Sequence, residues 1–97
     1  MHGHRKDANQ RTIERELRAH GMSVLDVHNG PLGDLWVGYQ GVNYLFEIKD
    51  AAKSPSRRRL SDKQKDDHEA WRGQIAKVET VEQILEIIYG TKGDNRE

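Results

Sequence analysis

Two short apolar runs separated by Gln40 and Gly41 constrain this chain more than any other stretch. Asp34–Tyr39 and Val42–Lys49 are enriched in aromatic and β-branched residues, as paired strands are. Gln40-Gly41 fits a two-residue hairpin loop. Such a loop leaves one register: Tyr39 faces Val42, Val37 faces Tyr44, and Leu35 faces Phe46. These pairs share a face with Ile48, and that face is the core face. The opposite face carries Trp36 across from Leu45 and, at its end, Asp34 across from Glu47. Lys49 lies two residues beyond Glu47 on the same face. Directly opposed residues have Cβ atoms roughly 4.5–5.5 Å apart. Two carboxylates that close repel unless a proton or a cation lies between them.

The other elements follow from periodicity and capping residues. Asn9–His20 reads as a helix with Gln10, Ile13 and Leu17 at helical spacing, Asp7 or Asn9 as its cap and Gly21 as its stop. Glu14 sits beside that stripe, either solvated among Arg15 and Arg18 or turned inward. Ser23–Val27 reads as a strand, and His28-Asn29-Gly30-Pro31 as a turn. Ser61–Arg72 is a second helix, opened by the capping-box spacing Ser61…Gln64, with Leu60, Gln64, Asp67, His68 and Trp71 on one stripe and Gly73 as its end. Ile75–Val78 is a fourth strand. Thr80…Gln83 is a second capping box, opening a helix with Val81, Ile84, Leu85 and Ile88 inward; Gly90 is expected to stop it. The direct strand–helix–strand connection predicts that strands three and four are parallel. The expected fold is an α/β (α+β) domain of order α-β-β-β-α-β-α around a mixed four-stranded sheet. Residues 1–8 and 91–97 are read as polar tails, with His2 and His4 solvated.

The chain's 97 residues are enough for one small domain. It has no cysteine, which excludes disulfides and thiolate zinc sites. No apolar run approaches the roughly 20 residues of a membrane span, so a cytoplasmic protein is expected. The formal charge is zero, but it is unevenly spread. Lys53, Arg57, Arg58, Arg59, Lys63 and Lys65 fall within one segment whose single acid is Asp62. Such a cluster can hold phosphates. Lys53 and Arg57–Arg59 lie in a Ser/Pro/Arg-rich loop, Asp50–Leu60, that is long for a simple connection in so small a domain, and Lys63 and Lys65 follow in the first turns of the next helix.

Asp34 and Glu47 offer hard oxygen ligands to Mg²⁺ or Mn²⁺, which take one or two protein carboxylates. The backbone carbonyl of Ile48 is a further candidate ligand. Lys49 is a point charge on the same face, suited to steering water or stabilising charge on a phosphoryl group. Lys53, Arg57, Arg58, Arg59 and Lys63 would hold a DNA backbone in a salt-dependent way. Gln64 has two readings, as the capping-box residue and as an amide lining the site. Trp36, on the face of Asp34, has three: packing against a helix, stacking on a splayed base, or meeting a partner subunit.

Gly33-Asp34-Leu35, the twelve residues between Asp34 and Glu47, Glu47-Ile48-Lys49, and Leu60–Gln64 together resemble the PD-(D/E)XK nuclease superfamily. The resemblance is greatest to the small VRR-NUC type of phage and bacterial replication and repair proteins, and spans Asp7 to Ile88. It implies a restriction-endonuclease-like core with one added C-terminal helix, and metal-dependent DNA hydrolysis leaving 5′-phosphate and 3′-hydroxyl ends. It also implies that Asp34 and Glu47 hold the metal, that Lys49 acts in catalysis and that Gln64 lines the site. Glu14 is the nearest match to a helix glutamate often found in the family's site. A bacterial or infected-cell cytoplasm would be the setting. A minimal domain of this kind is expected to recognise DNA shape, such as a flap, branch or four-way junction, and opposed cuts would need a homodimer. The alternatives are a non-catalytic DNA-binding module on the same fold and an assembly protein whose basic loop meets a protein partner. One residue departs from the pattern: the family has Pro before the aspartate, where this chain has Gly33, so the loop is expected to approach the site differently.

Overall fold

The computed structural model describes residues 8–27, 32–50 and 59–96. In chain order these form α1 (Ala8–Ala19), β1 (Ser23–Asp26), β2 (Leu35–Tyr39), β3 (Val42–Ile48), α2 (Asp62–Ala70), β4 (Ala76–Val78) and α3 (Val81–Arg96). The strands form one mixed sheet in the order β1-β2-β3-β4. The first three are antiparallel neighbours, and β3 and β4 are parallel as the crossover through α2 requires.

The hairpin register is the expected one: Leu35 faces Phe46, Trp36 faces Leu45, Val37 faces Tyr44 and Tyr39 faces Val42. The turn shows why. Gln40 has φ 52° and Gly41 φ 82°, and positive φ at both central residues marks a type I′ turn, whose twist matches that of the flanking strands. On one face of the sheet Leu35, Val37, Tyr44, Phe46 and Val78 are buried. They pack against Ile13 and Leu17 of α1 and Val81, Ile84 and Ile88 of α3. Alternation sends Trp36, Glu47 and Lys77 to the other face. There α2 lies over the β3 end of the sheet without burying any residue of its own.

The helix ends show local chemistry at work. Gly21 has φ 83°; its N–H reaches the Arg18 carbonyl at 3.0 Å and the Met22 N–H reaches that of Leu17 at 3.2 Å, closing a Schellman motif. Both capping boxes form. Gln64 N–H donates to Ser61 Oγ, and Gln83 N–H to Thr80 Oγ1. The Gln64 and Gln83 side chains accept from the Ser61 and Thr80 N–H groups in return.

Several boundaries differ from expectation. The second helix ends at Ala70, with Trp71 as its extended C-cap, rather than running to Arg72. β4 begins at Ala76, not Ile75, because the Gln74 side chain takes the place of a strand backbone. Its amide donates to the Leu45 carbonyl at 3.0 Å and its oxygen accepts from the Leu45 N–H at 2.7 Å. Gly90 does not stop α3, which continues as helix to Arg96. An interior glycine costs a helix only about 1 kcal/mol relative to alanine, and no proline follows it. The polar segment after Gly90 is thus helical backbone as far as Arg96. Asp7, His2, His4 and the turn at 28–31 lie outside the described residues. Among the described residues, no helix is long and apolar enough to cross a membrane.

Gly33 fills a position open to almost no other residue. Its φ is 75°, and an added Cβ would sit 3.1 Å from the Phe46 carbonyl oxygen, the same oxygen that accepts from the Asp34 N–H at 2.8 Å. Proline, locked near −65°, could not follow this path. Gly33→Ala should therefore lower stability by about 1–2 kcal/mol. Thermal unfolding checks this, and an unchanged Tm would show that the turn relaxes freely.

Candidate active site

The site begins where β2 and β3 part. Asp34 lies just outside β2, yet the ladder continues through it: its N–H bonds to Phe46, its carbonyl accepts from the Val27 N–H at 2.9 Å, and its Oδ2 accepts from the Ile48 N–H at 2.8 Å. The side chain is therefore clamped to the backbone of the opposite strand. Glu47, one residue before Ile48, is only 5 % exposed. Its carboxyl group lies within hydrogen-bonding reach of that of Asp34.

Burial, this contact and the charge of Asp34 together push the Glu47 carboxyl up to about 8, against a smaller downward pull from Lys49. At neutral pH Glu47 therefore holds a proton beside the Asp34 carboxylate. The two acids are brought together as the hairpin register requires, and a proton resolves their repulsion.

Gln64 ties α2 to this pair. Its Oε1 accepts from Lys49 Nζ at 3.0 Å and from the Ser61 N–H at 3.0 Å, and its Nε2 donates to Glu47 Oε2 at 2.9 Å. The amide orientation follows from its neighbours: an ammonium and a backbone N–H both need an acceptor, which leaves the amino group for the carboxyl. One side chain thus closes the capping box and bonds both Glu47 and Lys49. Lys49 Nζ is 3.9 Å from Glu47 Oε2.

His68 stands one turn beyond Gln64, with Nε2 buried, unpartnered and 4.0 Å from Glu47 Oε1. Its position on the Gln64 stripe was legible, but its approach to Glu47 was not, because that depends on how α2 lies on the sheet. Glu14 is buried on α1, accepting from Gln10 Nε2 at 3.0 Å with Arg18 NH1 at 3.7 Å. The inward alternative holds for it rather than the solvated one.

An open cleft of about 800 Å³ adjoins the site, lined by Lys49, Arg59, Lys65, Lys77, Ser61 and Gln64 among others. Among the described residues that line it, Asp62 is the one acid. Of the basic residues expected to meet a polyanion, Arg59 lines this cleft. Lys63 turns away and pairs with Asp67 at 2.9 Å on the exposed side of α2. Lys53, Arg57 and Arg58 lie outside the described residues. Sequence reasoning missed Lys77. The parallel register sets it directly beside Glu47, and only that register, unknown from sequence, places its side chain on the active face.

The donor set suits a hard divalent ion. Two carboxyl groups meet where a cation could sit, and both are fixed by backbone or amide bonds. Among the described residues no group of three or more His, Asp or Glu side chains is arranged to hold a metal. The side-chain share of such a site would then be two carboxylates, with the Ile48 carbonyl as the further candidate, a number that Mg²⁺ accepts because it retains water ligands. Comparison of the chain with family profiles, with curated proteins and with solved structures finds no match.

The shared proton has a measurable consequence. Glu47 binds a proton in the folded chain up to about pH 8 but in the unfolded chain only to about 4.5. Its contribution to stability is therefore complete below the lower value and is lost as pH rises through the upper one. In chelator, wild type should lose stability progressively from about pH 4.5 to about pH 8 relative to Glu47→Gln, which mimics the neutral acid, and level off above that. Tm against pH for both proteins tests this, and parallel curves would refute a shared proton.

Proposed function

We propose that this chain is a metal-dependent DNA endonuclease with a restriction-endonuclease-like core, of the PD-(D/E)XK superfamily and closest in kind to its small VRR-NUC members. The observation that carries the reading is the convergence of Asp34, Glu47, Lys49 and Gln64, drawn from a hairpin and the following helix, beside a cation-lined cleft. The element order and the mixed sheet agree with that core.

In this reading Asp34, Glu47 and the Ile48 carbonyl would hold Mg²⁺ or Mn²⁺. When bound, such an ion polarises a phosphoryl oxygen and activates water. Glu47 must release its proton to serve as a ligand, so ion binding and deprotonation are linked. Lys49 is held by Gln64 with its ammonium beside Glu47, where it offsets negative charge growing on the phosphate. Gln64 keeps both groups in place. Lys65, Lys77 and Arg59 bind the flanking backbone. The substrate class is branched, flapped or four-way DNA, and paired cuts would be made by a homodimer.

The decisive experiment incubates the protein with linear, flapped and four-way DNAs in Mg²⁺, Mn²⁺ or chelator. Cleavage should require the ion and fall by roughly 10²–10³ in Lys49→Ala, as for loss of one preorganised charge-stabilising group. Unaltered cleavage by folded Lys49→Ala and Asp34→Ala proteins would sink the proposal. Lys77→Ala should weaken DNA binding for every geometry alike and reduce the slope of log K against log salt by about 1. Fluorescence anisotropy across a salt series measures that slope, and an unchanged value would remove Lys77 from the interface.

A further inference from the structure

The active face of the sheet has a second half that α2 does not cover. Beside the acidic pair, Trp36 is 39 % exposed and its cross-strand neighbour Leu25 is 58 % exposed. Among the described residues, no helix packs the indole away. Its Nε1 instead donates to the Leu32 carbonyl at 3.3 Å, which anchors the ring edge while leaving the ring open to solvent. Next to it lies a shallow depression of about 240 Å³, lined by Ser23, Leu25, Trp36, Gly38 and Asn43 with parts of Val24 and Val37. Gly38 keeps its floor low, and none of these residues is charged.

We propose that Trp36, flanked by Leu25, is a stacking platform for one unpaired nucleobase adjoining the phosphate held at Asp34 and Glu47. The inference rests on the nuclease reading and adds the part of the substrate that reading leaves unspecified. Three observations lead to it. First, Trp36 follows Asp34 by two residues on the same face, roughly 6.5–7 Å along the strand. That is close to one nucleotide step of an extended single strand, so a backbone crossing the acids brings the neighbouring base over the indole.

Second, the two halves of the face divide by chemistry. The cations Lys49, Arg59, Lys65 and Lys77 lie on the α2 side, where phosphates are matched. The Trp36 side is apolar and neutral, and suits a planar ring rather than a backbone. Third, a base within an intact duplex exposes only its edge in a groove, whereas stacking on a side chain needs a base freed from its neighbours. The platform therefore selects single strands, flaps and branch points over continuous duplex. Asn43 at the rim offers an amide to the edge of such a base.

The test uses the full chain carrying Trp71→Phe. Trp71 is exposed and lies outside the site, and the chain's two tryptophans are thereby reduced to Trp36. In chelator, so that nothing is cut, a short single strand, a flapped duplex and a blunt duplex are titrated. Trp36 emission and the anisotropy of labelled DNA are both followed. The single strand and the flap should quench the emission, and the blunt duplex should not. In the Trp36→Ala protein, affinity for the flap should fall about tenfold, with blunt-duplex affinity unchanged. Trp36→Phe should retain most of the flap affinity.

If DNA binds and is cleaved once Mg²⁺ is added, but emission does not respond, the platform is wrong and the nuclease reading stands. Equal losses for flap and duplex in Trp36→Ala would overturn it in the same way. So would a dimer, seen by sedimentation, that Trp36→Ala converts to monomer without altering DNA binding, since the patch would then belong to a second copy. Absence of binding and cleavage with all three DNAs would remove both proposals.

Discussion

The two-residue turn at Gln40 and Gly41 is the constraint on which the rest depends. Side chains along a strand alternate faces, so a slip of one residue would exchange every inward group for its outward neighbour. Phe46 and Tyr44 would leave the core and Glu47 would enter it. The type I′ geometry prevents that slip, and in doing so it brings Asp34 and Glu47 together across the strand ends. Core packing and the acidic pair are two results of one register. The apolar face holds that register by burial and the polar face uses it.

The polar face is built with little apolar support. Glu47 is almost fully buried, yet its neighbours are groups that bond it: Asp34 on one side, Gln64 and Lys49 on the other. A lone buried carboxylate is costly, and here a shared proton and an amide donor lower that cost. Gln64 has one oxygen serving both a helix cap and an ammonium. The start of α2 and the posture of Lys49 are therefore not separable, and a change that loosens the cap also loosens the lysine.

Much of this was legible in the residues because it depends on short-range rules. The hairpin register follows from two turn residues, and both capping boxes follow from Ser61…Gln64 and Thr80…Gln83. What escaped the sequence depends on contacts far along the chain. β4 pairs with β3 in a register that no local signal specifies, so Lys77 could not be placed beside Glu47. Gln74 reads as a loop residue, and only the approach of Leu45 makes it a surrogate strand. Gly90 looks like a stop, but glycine ends a helix only where the chain turns into the left-handed region, as it does at Gly21 and not at Gly90. Gly33 marks the reverse case: its positive φ explains why this chain cannot carry a proline at the entrance to its site.

Helix α2 buries none of its residues. The other two described helices are fixed by aliphatic side chains in the core; this one is attached through polar bonds from Gln64 to Glu47 and Lys49 and through the largely covered imidazole of His68. Hydrogen bonds of this kind contribute roughly 1 kcal/mol each in net terms. Detachment of α2 is therefore a low-cost excursion from the native state, far below global unfolding in free energy. Whatever binds at Glu47 and Lys49 also sets how long that helix stays seated, so occupancy of the site and the lifetime of α2 on the sheet are one equilibrium seen from two ends.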